Sequence, residues 1–298
     1  MGPVVIIGGF LSYARAYREM QREISVLTGQ PVSIADIPGY QWLLAVSSLG
    51  WAGLLAGLDR AVQQAPRSAP GEKITLIGHS AGGVLARLYL SPDPFLGRSY
   101  RGLERVSHLI TLGSPHHSQG SWRRGGRLSS YIEKRYPGAY FQPEVRYTSF
   151  AGRFLRGDRA GSRSQRWAYN RYQEICSEGD TWGDGLIPIQ TALLKGSDQV
   201  ILDGVSHHSV FGDPWYGSSA AISQWWDRIF VSHLPEQLHL YVCFQEPQPL
   251  IQVTHDLDEQ VVGAHVTQHF SLVGCGSSGS GQFRHLVGEE THGSHILY

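Results

Sequence analysis

Two kinds of hydrophobic run alternate along the chain. Short stretches rich in β-branched residues, Val4 to Ile7, Val32 to Ile37, Lys73 to Ile77, Val106 to Leu112, Val145 to Ala151 and Gln199 to Val205, read as buried strands. Between them lie longer segments with apolar positions every three or four residues. These are Tyr13 to Leu27, with Tyr17, Met20, Ile24 and Leu27 on one stripe, then Trp51 to Ala65, Ala81 to Leu90 and Ser219 to Leu234. That spacing predicts amphipathic helices. Strand and helix in repeated succession predict one α/β domain over residues 1–234, with a mostly parallel central sheet flanked by helices on both faces.

Two stretches, about 116–144 and 152–180, break the rhythm and are long enough to be cap or lid insertions. From Arg123 to Arg171 twelve Lys or Arg stand against three acids, interleaved with Tyr131, Tyr136, Tyr140, Phe154 and Trp167. A basic, aromatic cap fits peripheral contact with a membrane surface or an anionic substrate; a solvated surface of wet arginines has the same composition. No nucleic-acid partner is expected. Over the whole chain 25 bases balance 25 acids, but residues 235–298 hold seven acids and one base, Arg284. That acidic segment, with its seven histidines and the run GCGSSGSG from Gly274 to Gly281, reads as a weakly ordered C-terminal extension without metal-ligand spacing.

Cys176, Cys243 and Cys275 are widely spaced, so neither a disulfide framework nor a zinc site is expected. There is no apolar run of twenty residues, and Met1 leads almost directly into the first strand. The expectation is a soluble, cytoplasmic protein; an organellar one would need an upstream extension.

The candidate chemistry centres on LIGHSAGGVLARLYL, Leu76 to Leu90, where G-x-S-x-G lies between a predicted strand and a predicted helix. A strand that turns into a helix with almost no loop strains the middle residue, holding the Ser80 hydroxyl out at a helix N-terminus. A serine nucleophile needs an orienting acid, a base and oxyanion donors, in the order Ser, Asp or Glu, His for such an elbow. The acid is sought in GDGLIPIQTALL, where Gly185 and Pro188 set a tight turn beside Asp184; Asp180 and Asp203 are weaker candidates. The base is sought in LDGVSHHSVFG, where His207 and His208 compete. His79 is expected to project away from the nucleophile, and His116, beside His117, to be a structural hydrogen-bonder. The oxyanion donors are expected to be the N–H of Ala81 and, from the glycine-permitted loop IIGGFLS, that of Phe10 or next Leu11.

These residues resemble the α/β-hydrolase superfamily, in the branch that includes bacterial lipases and GPI inositol-deacylase-like esterases, with similar hydrolases of cyanobacteria and plants. The likeness rests on VVIIGGFLS, LIGHSAGG, LITLGSPHHS, VRYTSFAG, GDGLIP and GVSHHSVFGDPWYGS, in that order over residues 3 to about 234. It implies that Asp184 orients His207, the first histidine after GV-x, and that His207 serves Ser80 as base. It further implies hydrolysis of a lipid or other acyl ester through an acyl-serine intermediate, with no metal or organic cofactor. An acyltransferase or thioesterase would use the same three residues, and a non-catalytic ligand-binding protein can share the fold.

Overall fold

The computed structural model describes residues 2–45, 47–117 and 126–231, with residues 230 and 231 described by backbone alone. The predicted extension 235–298 and residues 118–125 of the first predicted cap lie outside the described residues.

The first β-branched run forms β1 (Val4–Ile7), fully buried. A 3₁₀ turn, Ala14–Tyr17, leads into α1 (Arg18–Thr28), then β2 (Val32–Ile34). A second 3₁₀ segment, Gly39–Leu44, precedes α2 (Ser48–Gln64), whose N-cap Ser47 accepts from the Gly50 N–H. Then come β3 (Ile74–His79), α3 (Ala81–Tyr89), α4 (Gly102–Arg105), β4 (Val106–Leu112), α5 (Gly126–Arg135) and β5 (Arg146–Arg153). A small two-stranded antiparallel sheet of β6 (Leu155–Arg156) and β7 (Trp182–Gly183) brackets α6 (Arg163–Cys176), which opens with a capping box between Ser162 and Gln165. The chain continues through α7 (Ile189–Ala192), β8 (Asp198–Asp203), α8 (Ser219–Trp225) and α9 (Arg228–Val231).

The described residues form a six-stranded sheet in the order β2-β1-β3-β4-β5-β8, with every pair parallel. Its residues alternate between two apolar layers. Val5, Ile7, Leu76 and Leu109 pack with Leu54, Leu55 and Leu85 of α2 and α3 on one face. Val4, Ile6, Ile77 and Ile110 pack with Met20, Ile24, Ile222 and Trp225 of α1 and α8 on the other. Parallel strands covered on both faces have no polar side, which is why their sequences read as near-continuous apolar runs.

The element bounds depart from expectation in instructive places. β2 ends at Ile34, three residues short of Ile37, because the Ile37 N–H turns back to the Ala35 carbonyl at 3.0 Å instead of bonding to β1. Leu27, expected on the buried stripe of α1, lies in the last turn before the left-handed Gly29 and is half exposed. The closing helix is interrupted at Trp226 and Asp227. Part of the predicted basic surface is ion-paired: Arg146 with Asp198, Arg153 with Asp203, Arg156 with Asp180 and Arg171 with Glu174.

Candidate active site

From β1 the chain moves outward to the edge strand β2 and then returns across β1 to form β3. The loops leaving the C-terminal ends of β1 and β3 therefore diverge around one crevice, the usual ligand position in an open parallel sheet. Gly8, Gly9 and Phe10 follow β1, and Ser80 follows β3.

Ser80 has φ 54° and ψ −130°, backbone that a residue with a side chain rarely adopts and that costs about 1–3 kcal/mol. Its N–H donates to the Leu112 carbonyl at 2.9 Å, and its carbonyl accepts from the Gly83 N–H at 3.1 Å, which pins the turn. Gly82 lets α3 press against the end of β1, since a Cβ there would lie 2.5 Å from the Gly8 carbonyl oxygen. A Cβ on Gly9 would lie 2.6 Å from that of Ser80, so the loop after β1 lies directly on the serine.

Three side chains from distant parts of the chain meet at this turn. Ser80 Oγ is 3.0 Å from His207 Nε2, and His207 Nδ1 is 2.8 Å from Asp184 Oδ2. His207 and Asp184 are buried, and the His207 N–H donates to the Asp184 carbonyl at 2.8 Å. The other carboxylate oxygen of Asp184 accepts from the N–H groups of Leu186 at 3.0 Å and Ile187 at 2.7 Å, closing the turn that Gly185 and Pro188 announce. Tyr216 completes the shell: its hydroxyl donates to Asp184 Oδ2 at 3.1 Å and accepts from the Gly152 N–H at 2.6 Å. Burial, and next the charge of Asp184, push the Tyr216 hydroxyl well above the ordinary tyrosine range, so it remains a donor.

His208 lines the same cavity, but its ring lies against Trp215 and its Nδ1 accepts from the Val210 N–H at 3.3 Å. Burial, then the neighbouring His207, lower its pKa. Asp180 and Asp203 are exposed and ion-paired to Arg156 and Arg153. His116 is buried against Thr111 Oγ1 at 3.0 Å, with Nδ1 3.4 Å from the buried Arg87 guanidinium; desolvation holds it well below its usual pKa. His117 sits beside Glu133 at 3.5 Å. His79 does not simply turn away: it is buried, with Nδ1 2.8 Å from the Tyr17 hydroxyl and Nε2 3.0 Å from the His207 carbonyl oxygen.

The crevice is a cavity of about 340 Å³, with Ser80 and His207 facing Trp42, Val84, Leu128 and Ile187. Phe10 and Ala81, the residues expected to supply oxyanion donors, both line it. Leu11, the alternative, adopts a left-handed φ of 58°. The Gly9 N–H is occupied, donating to the Tyr17 hydroxyl at 3.2 Å. The pattern along the chain marked Tyr17 only as a core position and did not single out Tyr216. A buried tyrosine's hydroxyl must find a partner, but its identity emerges only when β1, β3 and the loop that carries His207 are brought together.

Among known proteins, a family model described as a PGAP1-like alpha/beta domain matches residues 58–129, which run from α2 through the serine turn and β4. The structure superposes on a phospholipase from Legionella pneumophila, PlaB, with a TM-score of 0.51, 15% identity and coverage of 74% of this chain. The chain has the α/β-hydrolase fold. The chain spans 57% of the length of that phospholipase. A methylesterase from Arabidopsis is matched over 78% of this chain and 100% of its own, at 15% identity and a TM-score of 0.43. No curated protein matches the sequence.

Proposed function

We propose that this protein of α/β-hydrolase fold is a serine esterase acting on a lipid or other acyl ester. The observation that carries the reading is the unbroken line Ser80 Oγ, His207 Nε2, His207 Nδ1, Asp184 Oδ2, opening on an apolar cavity. In the proposed reaction His207 Nε2 takes the Ser80 proton as Oγ bonds to the ester carbonyl carbon. The Phe10 and Ala81 N–H groups receive the developing oxyanion. The C–O bond to the alcohol then breaks, with His207 returning the proton to the leaving oxygen, and the acyl group remains on Ser80. Water, deprotonated by His207, attacks the acyl carbon, and the serine leaves reprotonated. Asp184 fixes the imidazole tautomer and stabilises its cation without taking the proton itself.

The apolar lining, and the exposed Leu43 and Leu44 between the lining residues Trp42 and Ala45, favour a substrate with an acyl chain. The same rim gives the protein an apolar edge for peripheral contact with lipid. Hydrolysis of p-nitrophenyl butyrate and palmitate by the wild type, Ser80→Ala, His207→Ala and His208→Ala tests this reading. The expected result is loss of turnover in the Ser80 and His207 variants with retention in His208→Ala. Loss in His208→Ala with retention in His207→Ala would overturn the assignment of the base. Ester products formed with added alcohol would make the protein an acyltransferase.

A further inference from the structure

The proposed reaction leaves two buried ionisable side chains at its edge unused, Tyr17 and His79. Their hydrogen bonds form one directed chain. The carbonyl oxygen of His207 can only accept, so the proton of the 3.0 Å contact sits on His79 Nε2. Burial, and next the facing His207, hold His79 well below its usual pKa, so it is neutral and its Nδ1 carries a lone pair. That lone pair accepts from the Tyr17 hydroxyl at 2.8 Å, which in turn accepts from the Gly9 N–H at 3.2 Å. Ser12 also bonds to the Tyr17 hydroxyl from the same loop, and the line runs from the loop after β1 to the backbone of His207.

Its ends are the two parts whose spacing an ester hydrolase must fix. Gly9 directly precedes Phe10, the expected oxyanion donor, and lies against Ser80; His207 is the expected base. Neither loop is otherwise covalently near the other, with 196 residues lying between Phe10 and His207. Trp215 packs its ring edge-on against both Tyr17 and His79, at centroid distances of 6.0 and 5.9 Å, which holds the pair in place.

We propose that Tyr17 and His79 are positioning residues that hold the oxyanion loop and the base loop in one register, so that donor and base address the same ester at once. The inference rests on the esterase reading and is separable from it. Small misplacement of a reacting group costs about 10²-fold in rate, and the ground-state complex is much less sensitive. Cutting the chain therefore lowers kcat while leaving KM nearly unchanged.

The test is a double-variant cycle on the full-length protein, with Tyr17→Phe, His79→Asn and the pair together, each checked for folding by circular dichroism and thermal melting. Tyr17→Phe cuts the chain at the oxyanion loop. His79→Asn keeps an acceptor for Tyr17 but loses the donor to His207. The expected result is a drop in kcat of about 10- to 100-fold in each single variant, with KM within about twofold, and no further loss in the double. His79→Gln, which can still present an N–H toward the His207 carbonyl, should recover part of the His79→Asn loss. Folded single variants with wild-type kcat, losses that multiply in the double variant, or an effect confined to KM would each overturn the proposal. If the wild type itself turns over no ester, the esterase reading has failed instead. Should Tyr17→Phe not fold, the His79→Asn and His79→Gln pair decides the question through kcat and KM alone.

Discussion

Asp184 shows how much one side chain can be asked to do. It is fully buried, and its carboxylate meets four donors, from Leu186, Ile187, Tyr216 and His207. A buried carboxylate without such partners would be too costly to keep charged. Asp184→Asn is expected to fold and to lose about 10⁴-fold in kcat for p-nitrophenyl butyrate, because an amide facing Nδ1 favours the wrong imidazole tautomer. Tyr216→Phe removes one of those donors and strands the buried Gly152 N–H. It should lower unfolding free energy by about 1–3 kcal/mol, measured as a lower urea midpoint with unchanged slope. Asp184 was legible in the sequence because glycine and proline beside it spell a tight turn. Tyr216 was not, because a tyrosine near a glycine-rich loop has the same local pattern whether it packs in the core or holds a carboxylate.

At the scale of elements, the β-branched runs marked the central strands to within a few residues, since burial on both faces leaves them no polar positions. Strand order carried no such signal. The sheet order is set by which faces pack, and that order is what puts the loop after β1 beside the Ser80 turn. The first predicted cap contains a helix, α5, tied to the serine helix by one residue that the pattern did not reveal. Arg87 of α3, almost wholly buried, donates to the carbonyls of Tyr136 and Gly138 at 2.8 and 3.1 Å and pairs with Glu133 at 3.1 Å. Arg87→Leu leaves two carbonyls and a carboxylate short of a donor, at about 1–3 kcal/mol for each fully buried group. Thermal melting should show a clear fall, and proteolysis within α5 should quicken relative to the sheet.

For the whole molecule, buried neutral histidines couple folding to pH. His79 and His116 are held well below their usual pKa in the folded state, chiefly by desolvation, whereas unfolded histidine titrates near 6.5. The unfolded chain therefore binds more protons as pH drops below about 6.5, and stability falls with it, by about 1.4 kcal/mol per pH unit for each such histidine. Melting temperatures should decline between pH 7.5 and 5.5, and His116→Gln should flatten that decline; an equal slope in that variant would assign the acid sensitivity elsewhere. Among the described residues no helix is long and apolar enough to cross a membrane. The central claim is that Ser80 is an activated nucleophile, and the most direct measurement is labelling by a fluorescent fluorophosphonate with the modified peptide located by mass spectrometry. The account predicts a single adduct on Ser80, absent in Ser80→Ala and strongly slowed in His207→Ala; a folded wild-type protein that takes no label, or takes it on another residue, would contradict it.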